Sequence, residues 1–126
     1  PAFPLVATMT FDTKGRTMMG TTPEQALKTL SQWGVLALGA NCGNGPDELE
    51  TAIRRMIEAG AELPLIAKAN AGLPEVENGR TVYRTTPEAF AHHVPALLDA
   101  GASYIGGCCG TSPEFIAALR RHRAAG

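Results

Sequence analysis

The chain has 126 residues and a mass of 13.2 kDa, which fits one ordinary domain that can bury a core without disulfide bonds. Hydrophobic residues make up 44% of the chain and the formal net charge is −1. This composition excludes a disordered chain, and the scattered Lys and Arg residues argue against a nucleic-acid or membrane-surface partner. No apolar run approaches the ~20 residues that cross a bilayer, so we expect a single cytoplasmic domain over residues 1–126.

Short apolar runs alternate with segments that begin with a helix-start signal. Thr22, Thr86 and Ser112 each precede Pro-Glu, and a capping hydroxyl followed by proline at the first helical position is typical of a helix start. A further helix is predicted from Pro46, a break is predicted at Pro95, and Trp33 is expected in the core or between helices. The predicted strands are residues 4–9, 35–38, 65–69 and 103–105, and residues 70–85 are predicted to be a polar loop.

These segments form four consecutive βα units. Strands that are joined by helices run parallel, with right-handed crossovers. Two α/β architectures fit: a small open sheet of the flavodoxin type, and half of an eight-stranded (β/α)8 TIM-type barrel. A whole barrel takes ~250 residues, about twice the length of this chain, but composition alone leaves both architectures open.

The three cysteines occupy equivalent places in this pattern. Cys42 follows the second predicted strand, and Cys108 and Cys109 follow the fourth, each within a glycine-rich loop. The carboxyl ends of parallel strands share one edge of the sheet, which is where such folds bind ligands. Three convergent thiolates predict a Zn²⁺ site with an open fourth position, the arrangement of catalytic zinc. Burial of Cys42 as a small apolar residue and a strained disulfide between Cys108 and Cys109 are the alternatives.

Two glycine-rich motifs around these cysteines resemble a known family. Residues 39–43 (Gly-Ala-Asn-Cys-Gly) and 106–114 (Gly-Gly-Cys-Cys-Gly-Thr-Ser-Pro-Glu) are similar to the two zinc-binding motifs of the homocysteine S-methyltransferases. Residues 9–20 and 68–74 also resemble this family, and they are closest to its methionine synthase branch. The resemblance implies an eight-stranded β/α barrel, of which the chain matches strands five to eight.

The resemblance also implies a function. Cys42, Cys108 and Cys109 would bind Zn²⁺, and the sulfur of homocysteine would enter the open position and receive a methyl group, giving methionine. Asn41, Asn70 and Asp12 are the candidate substrate-binding residues, although turn chemistry or solvation explains each of them as well. The methyl donor would be methylcobalamin supplied by another domain or protein, betaine or a sulfonium compound.

The first half of the barrel is absent from this sequence, so stand-alone catalysis is not assured. We expect a partner that supplies the missing half, either a companion chain or a second copy in a homodimer. A truncated, non-catalytic module that binds zinc or thiols is the alternative function. A third possibility is a redox protein in which Cys108 and Cys109 form a reversible disulfide.

Overall fold

The computed structural model describes residues 2–125 of the chain. The strands are β1 Val6–Met9, β2 Ala37–Cys42, β3 Leu65–Ala69, β4 Glu75–Glu77, β5 Arg80–Val82 and β6 Tyr104–Gly107. The helices are α1 Pro23–Gln32, α2 Pro46–Glu58, α3 Pro87–Ala91, α4 Val94–Ala100 and α5 Pro113–Ala125. The fold is therefore α/β, as the sequence predicts.

A four-stranded parallel sheet carries the fold. Its order is β1-β2-β3-β6, and the register pairs Leu38 with Leu65 and Ala67 with Ile105. Each strand of this sheet lies beside the next one along the chain, without the reversal of order that marks an open doubly wound sheet. This topology is consistent with part of a TIM-like barrel.

The core lies between one face of this sheet and the helices. Along β3, Leu65, Ala67 and Ala69 are buried, whereas Ile66 and Lys68 between them are only partly buried. On the helix side, the rings of Phe90 and Phe115 meet edge to face with centroids 5.4 Å apart and join α3 to α5. No hydrophobic residue of the opposite face belongs to this core within the described part of the chain, and Val6 and Tyr104 on that face are exposed. We call it the helix-free face.

The predicted helix starts are confirmed at α1 and α3. The hydroxyl of Thr22 accepts a hydrogen bond from the backbone N–H of Gln25, and the Gln25 side chain accepts one from the N–H of Thr22. Thr86 caps α3 with one bond only, in which its hydroxyl accepts the N–H of Ala89. These bonds satisfy backbone groups that a helix end otherwise leaves unpaired.

Three sequence expectations need correction. The third predicted helix does break, but at His92 and His93, because Pro95 lies in the first turn of α4, where its missing N–H costs nothing. The predicted polar loop at 70–85 contains the antiparallel hairpin β4–β5, whose exposed strands lack the apolar alternation that would reveal them. Trp33 is not in the core: 66% of its surface is exposed at the end of α1.

No helix in residues 2–125 has both the length and the apolar character needed to cross a membrane.

An ion pair links α1 to α2 near the loop that follows β1. Two guanidinium nitrogens of Arg55, Nε and Nη2, donate to the Glu24 carboxylate at 2.6 and 2.8 Å. The remaining nitrogen, Nη1, donates to the backbone carbonyl of Gly15 at 3.0 Å. The hydrogen bonds from Arg55 lower the pKa of Glu24 from 4.5 to about 2. A two-pronged Arg–carboxylate contact of this kind fixes geometry as well as charge.

We expect this pair to make stability depend on acid. Since the folded-state pKa of Glu24 is depressed, its stabilisation is present above about pH 4.5 and is lost as the pH falls toward 2. Glu24 is 41% exposed, so solvent screening limits the effect to about 1 kcal/mol. Urea unfolding of Glu24→Gln between pH 2 and pH 7 should show the loss at neutral pH and convergence with the wild type in acid.

Glu50→Gln is the matched control, because it removes an exposed pair with Arg54 inside α2 instead of one that joins two helices. An equal loss in the control, or a loss from Glu24→Gln that persists at pH 2, would contradict the assignment.

Candidate metal centre

The sulfurs of the three cysteines converge at the carboxyl edge of the sheet. Cys42 Sγ lies 2.8 Å from Cys108 Sγ and 3.8 Å from Cys109 Sγ, and all three sulfurs lie within 4.8 Å of one another. Within the described residues this is the one group of three or more potential metal ligands. Cys42 and Cys108 are 66 positions apart in the sequence, and the expectation that the fold brings them to the same edge of the sheet is confirmed.

Strand register explains the convergence. Cys42 is the last residue of β2 and pairs with Ala69 of β3, which pairs in turn with Gly107 of β6. Parallel strands in register end at one level of the sheet. The first residue beyond β6 is Cys108, so its thiol emerges beside the end of β2.

The backbone around Cys42 is strained. Cys42 has a φ of +59° and the next residue, Gly43, has a φ of +68°. Gly43 suits this position because a φ of +68° is a conformation that residues with a side chain rarely adopt. Left-handed backbone at a non-glycine residue costs free energy and often marks a functional site.

The second cysteine loop is shaped by close packing. Gly110 has a φ of +78°, and a Cβ there would overlap the ring of Tyr83. The hydroxyl of Thr111 donates to the carbonyl of Cys108 at 2.7 Å and closes the turn. Sequence reasoning missed Tyr83, because its contact with Gly110 forms only when the chain is folded, whereas Thr111 lies within the second cysteine motif.

Asn70 joins the two cysteine loops. It is 8% exposed and is the buried polar residue of the described chain. Its amide nitrogen donates to the carbonyl of Gly43 at 2.9 Å, and its side-chain oxygen accepts the N–H of Cys109 at 3.0 Å. One side chain thereby fixes the position of Cys42 relative to that of Cys109.

The three thiols influence one another's ionisation. Burial alone raises the pKa of the Cys42 thiol, but hydrogen bonds from Cys108, Asn41 and Cys109 outweigh it and lower that pKa. The pKa of Cys109 is raised, chiefly by its contacts with the sulfurs of Cys42 and Cys108. Cys42 is therefore the thiol that gives up its proton before Cys109 does.

Two other candidate substrate residues lie on the same rim. Asn41 donates to the hydroxyl of Thr10 at 3.2 Å. Asp12 accepts the backbone N–H groups of Lys14 and Arg16 at 2.8 and 3.2 Å, the pattern of a side chain that closes a turn. Substrate binding by Asp12, Asn41 and Asn70 stays a prediction.

The donor set suits a thiophilic divalent ion. Zn–S bonds of ≈ 2.3 Å in a tetrahedron place neighbouring sulfurs about 3.8 Å apart, which is the separation of Cys42 and Cys109. The shorter gap between Cys42 and Cys108 would have to open by about 1 Å. All three cysteines are free thiols in the structure.

Comparison with known proteins identifies the family. The family model described as homocysteine S-methyltransferase matches residues 1–123.

The chain belongs to the homocysteine S-methyltransferase family.

Relatives of known name agree with this assignment. The methionine synthases of Mycobacterium tuberculosis (strain ATCC 25618 / H37Rv) and Mycobacterium leprae (strain TN) are each 32% identical to it over 114 residues, which is 90% of this chain. The crystal structure of the homocysteine methyltransferase MmuM from Escherichia coli, in its oxidized form, matches with a TM-score of 0.64 and 29% identity over 85% of this chain.

The matches cover only part of each relative. The chain spans 10% and 9% of the length of the two methionine synthases, and 32% of the Escherichia coli methyltransferase. Similarity alone therefore does not assign the activity of a whole methyltransferase to this chain.

We expect Asn70→Ala to destabilise the fold and loosen the cysteine loops. The substitution leaves the N–H of Cys109 and the carbonyl of Gly43, both in part-buried hydrogen bonds, without their partner, which costs about 1–3 kcal/mol. Urea unfolding of the metal-free protein measures this loss.

Asn44→Ala is the matched control, because the exposed side chain of Asn44 bonds only to the Glu48 carboxylate on the same rim. If both variants unfold at the wild-type urea concentration, Asn70 does not hold the loops.

Proposed function

We propose that this chain is the thiol-activating part of a zinc-dependent homocysteine S-methyltransferase, which converts homocysteine to methionine. The observation that carries the proposal is the convergence of three cysteine sulfurs within 4.8 Å at the carboxyl edge of a parallel sheet. Family membership supports the substrate and the reaction class.

Cys42, Cys108 and Cys109 would hold the zinc ion, and three protein ligands leave one tetrahedral position for a substrate sulfur. Bound zinc would deprotonate an entering thiol, which is otherwise mostly protonated near neutral pH. Because three thiolates outweigh the charge of a divalent ion, the protein ligands would leave the substrate sulfur electron-rich and able to attack a methyl carbon.

The chain's own residues would prepare this centre. Asn70 holds the two cysteine loops in one geometry, so the sulfurs are placed before the substrate arrives. Asn41 presents its amide beside Cys42 and would orient the substrate or a ligand sulfur. Asp12 would accept the substrate amine through the part of its carboxylate that the turn leaves open.

The methyl donor would come from outside this chain. Methylcobalamin supplied by another domain or protein is the donor to test first, because methionine synthases are among the relatives. Betaine and sulfonium compounds are the other donors to compare.

The fold would be half of a barrel, completed by a partner. Val6 and Tyr104 lie on the helix-free face and are 63% and 59% exposed, at the two edge strands of the sheet. Exposed edges and an uncovered apolar face favour association. The partner would be the missing half-barrel on a companion chain or a longer chain, or a second copy of this one.

Metal content and turnover together test the proposal. We expect about one zinc per chain by elemental analysis. Cys108→Ser should lose this zinc, because only two of the three protein thiolates of the proposed tetrahedral site remain. Methionine formation from homocysteine should require the metal, a methyl donor and the completing half-barrel.

His122→Ala is the control for adventitious binding, since His122 lies on α5 beside Glu88 and away from the cysteines. A zinc-free protein whose thiols oxidise readily would instead favour the redox alternative. A zinc-loaded protein that binds homocysteine but forms no methionine, even with the other half-barrel added, would instead be the non-catalytic binding module. The chain covers only part of its relatives, which is consistent with that alternative.

Association should depend on the helix-free face. Val6→Glu puts a charge on that face at the edge strand β1, and burying an unpaired charge is unfavourable. We expect sedimentation equilibrium to show assembly at least tenfold weaker, whether the partner is a first-half polypeptide or a second copy.

Val76→Glu is the matched control, because Val76 is also exposed, at 80% against 63% for Val6, but lies on the β4–β5 hairpin, outside the four-stranded sheet. A wild-type chain that stays monomeric and does not bind a first-half polypeptide would contradict the half-barrel proposal.

A further inference from the structure

One charged side chain lies in the four-stranded sheet, close to the cysteines. Lys68 is the only Lys, Arg, Asp or Glu among the residues of β1, β2, β3 and β6. Its neighbours along the strand, Ala67 and Ala69, are buried on the helix side, so Lys68 belongs to the helix-free face.

Contacts across the sheet show where the side chain runs. Lys68 pairs with Asn41 of β2 on one side and with Gly106 of β6 on the other. A Cβ placed on Gly106 would lie 3.5 Å from Cγ of Lys68. The stem of Lys68 therefore lies beside Gly106 of β6 at ordinary van der Waals distance.

The ammonium group of Lys68 has no ionic partner within residues 2–125. Lysine is rarely enclosed in a protein unless it is paired, and strands of parallel sheets are usually apolar. The Lys68 ammonium group lies on a surface that the proposed barrel would enclose, so we expect it to bind an anionic group.

The register sets the position of this cation relative to the cysteines. Cys42 pairs with Ala69, the residue after Lys68, so the level of Lys68 lies about 3.3 Å from that of Cys42. A thiol whose sulfur reached the cysteines would have its far end over the helix-free face. In homocysteine, a short carbon chain separates the sulfur from the α-carboxylate, and the flexible lysine stem can span the remaining gap.

We propose that Lys68 binds the α-carboxylate of the thiol substrate and thereby selects an amino acid over a simple thiol. The inference rests on the proposed function, because it takes the substrate sulfur to bind at the three cysteines. It adds a recognition site for the other end of the substrate, formed by Lys68 in the space above Gly106.

Thiol binding to the Co²⁺-loaded chain tests the inference without turnover. Two thiols are compared: homocysteine, and 3-aminopropane-1-thiol, which keeps the amine and the sulfur but lacks the carboxylate. Thiolate-to-cobalt charge-transfer absorbance reports binding of either one. We expect the wild-type chain to bind homocysteine roughly tenfold more tightly, the effect of one hydrogen bond to a charged group.

Lys68→Met should reduce this preference to about one while leaving the affinity for 3-aminopropane-1-thiol unchanged. Lys68→Arg should keep the preference, and Lys28→Met, on α1, is the matched control that should also keep it. Should Lys68→Met fail to fold, Lys68→Gln and the salt dependence of the wild-type preference supply the same comparison, since added salt should reduce the preference.

The outcomes separate this inference from the function on which it rests. Equal binding of the two thiols by the wild type, or a preference that survives in Lys68→Met, overturns the role of Lys68 and leaves thiol binding at the cysteines intact. Absence of any thiol-dependent absorbance change overturns both.

Discussion

The proposed chemistry of this chain depends on holding three sulfurs close together although the sequence separates them widely. Cys42 and Cys108 are brought to a distance of 2.8 Å by the parallel register of β2, β3 and β6. Thiols at such distances acquire unequal affinities for protons, and a divalent ion would bind best where it replaces those protons. Asn70 keeps this arrangement in place by bonding to a backbone group of each cysteine loop. A fold that lost that register would keep the cysteines and lose the centre.

The two faces of the four-stranded sheet differ in burial and in the residues that they carry. The helix side carries the core, with Leu38, Leu65 and Ile53 fully or almost fully buried. The helix-free face carries Asn41 and Lys68, and it leaves Val6 and Tyr104 open to solvent. In the proposed barrel this face would line the interior, so the side that would contact a partner would also be the side from which a substrate reaches the sulfurs. Catalysis and assembly would thus be joined in a single surface.

Rigidity of the rim follows from contacts beyond the sheet. The Arg55 side chain ties α1 to α2 and holds the carbonyl of Gly15 in the loop after β1. Asp12 closes turns within that same loop. A site at loop ends can reach precise geometry only if the loops are fixed by such bonds. The left-handed backbone at Cys42 is tolerated for the same reason, because the neighbouring contacts determine its conformation.

Local chemistry in the sequence determined much of this protein. Short-range patterns of apolar and capping residues predict strand β3, the capped starts of α1 and α3, and the parallel α/β class. They also predict that the three cysteines lie at the same edge of the sheet. Only the tertiary structure decided that Asn70 links the two cysteine loops, that Trp33 is exposed, and that Lys68 lies over Gly106. Those facts depend on which segments become neighbours in space, and a residue's own sequence surroundings carry no record of a partner that lies dozens of positions away.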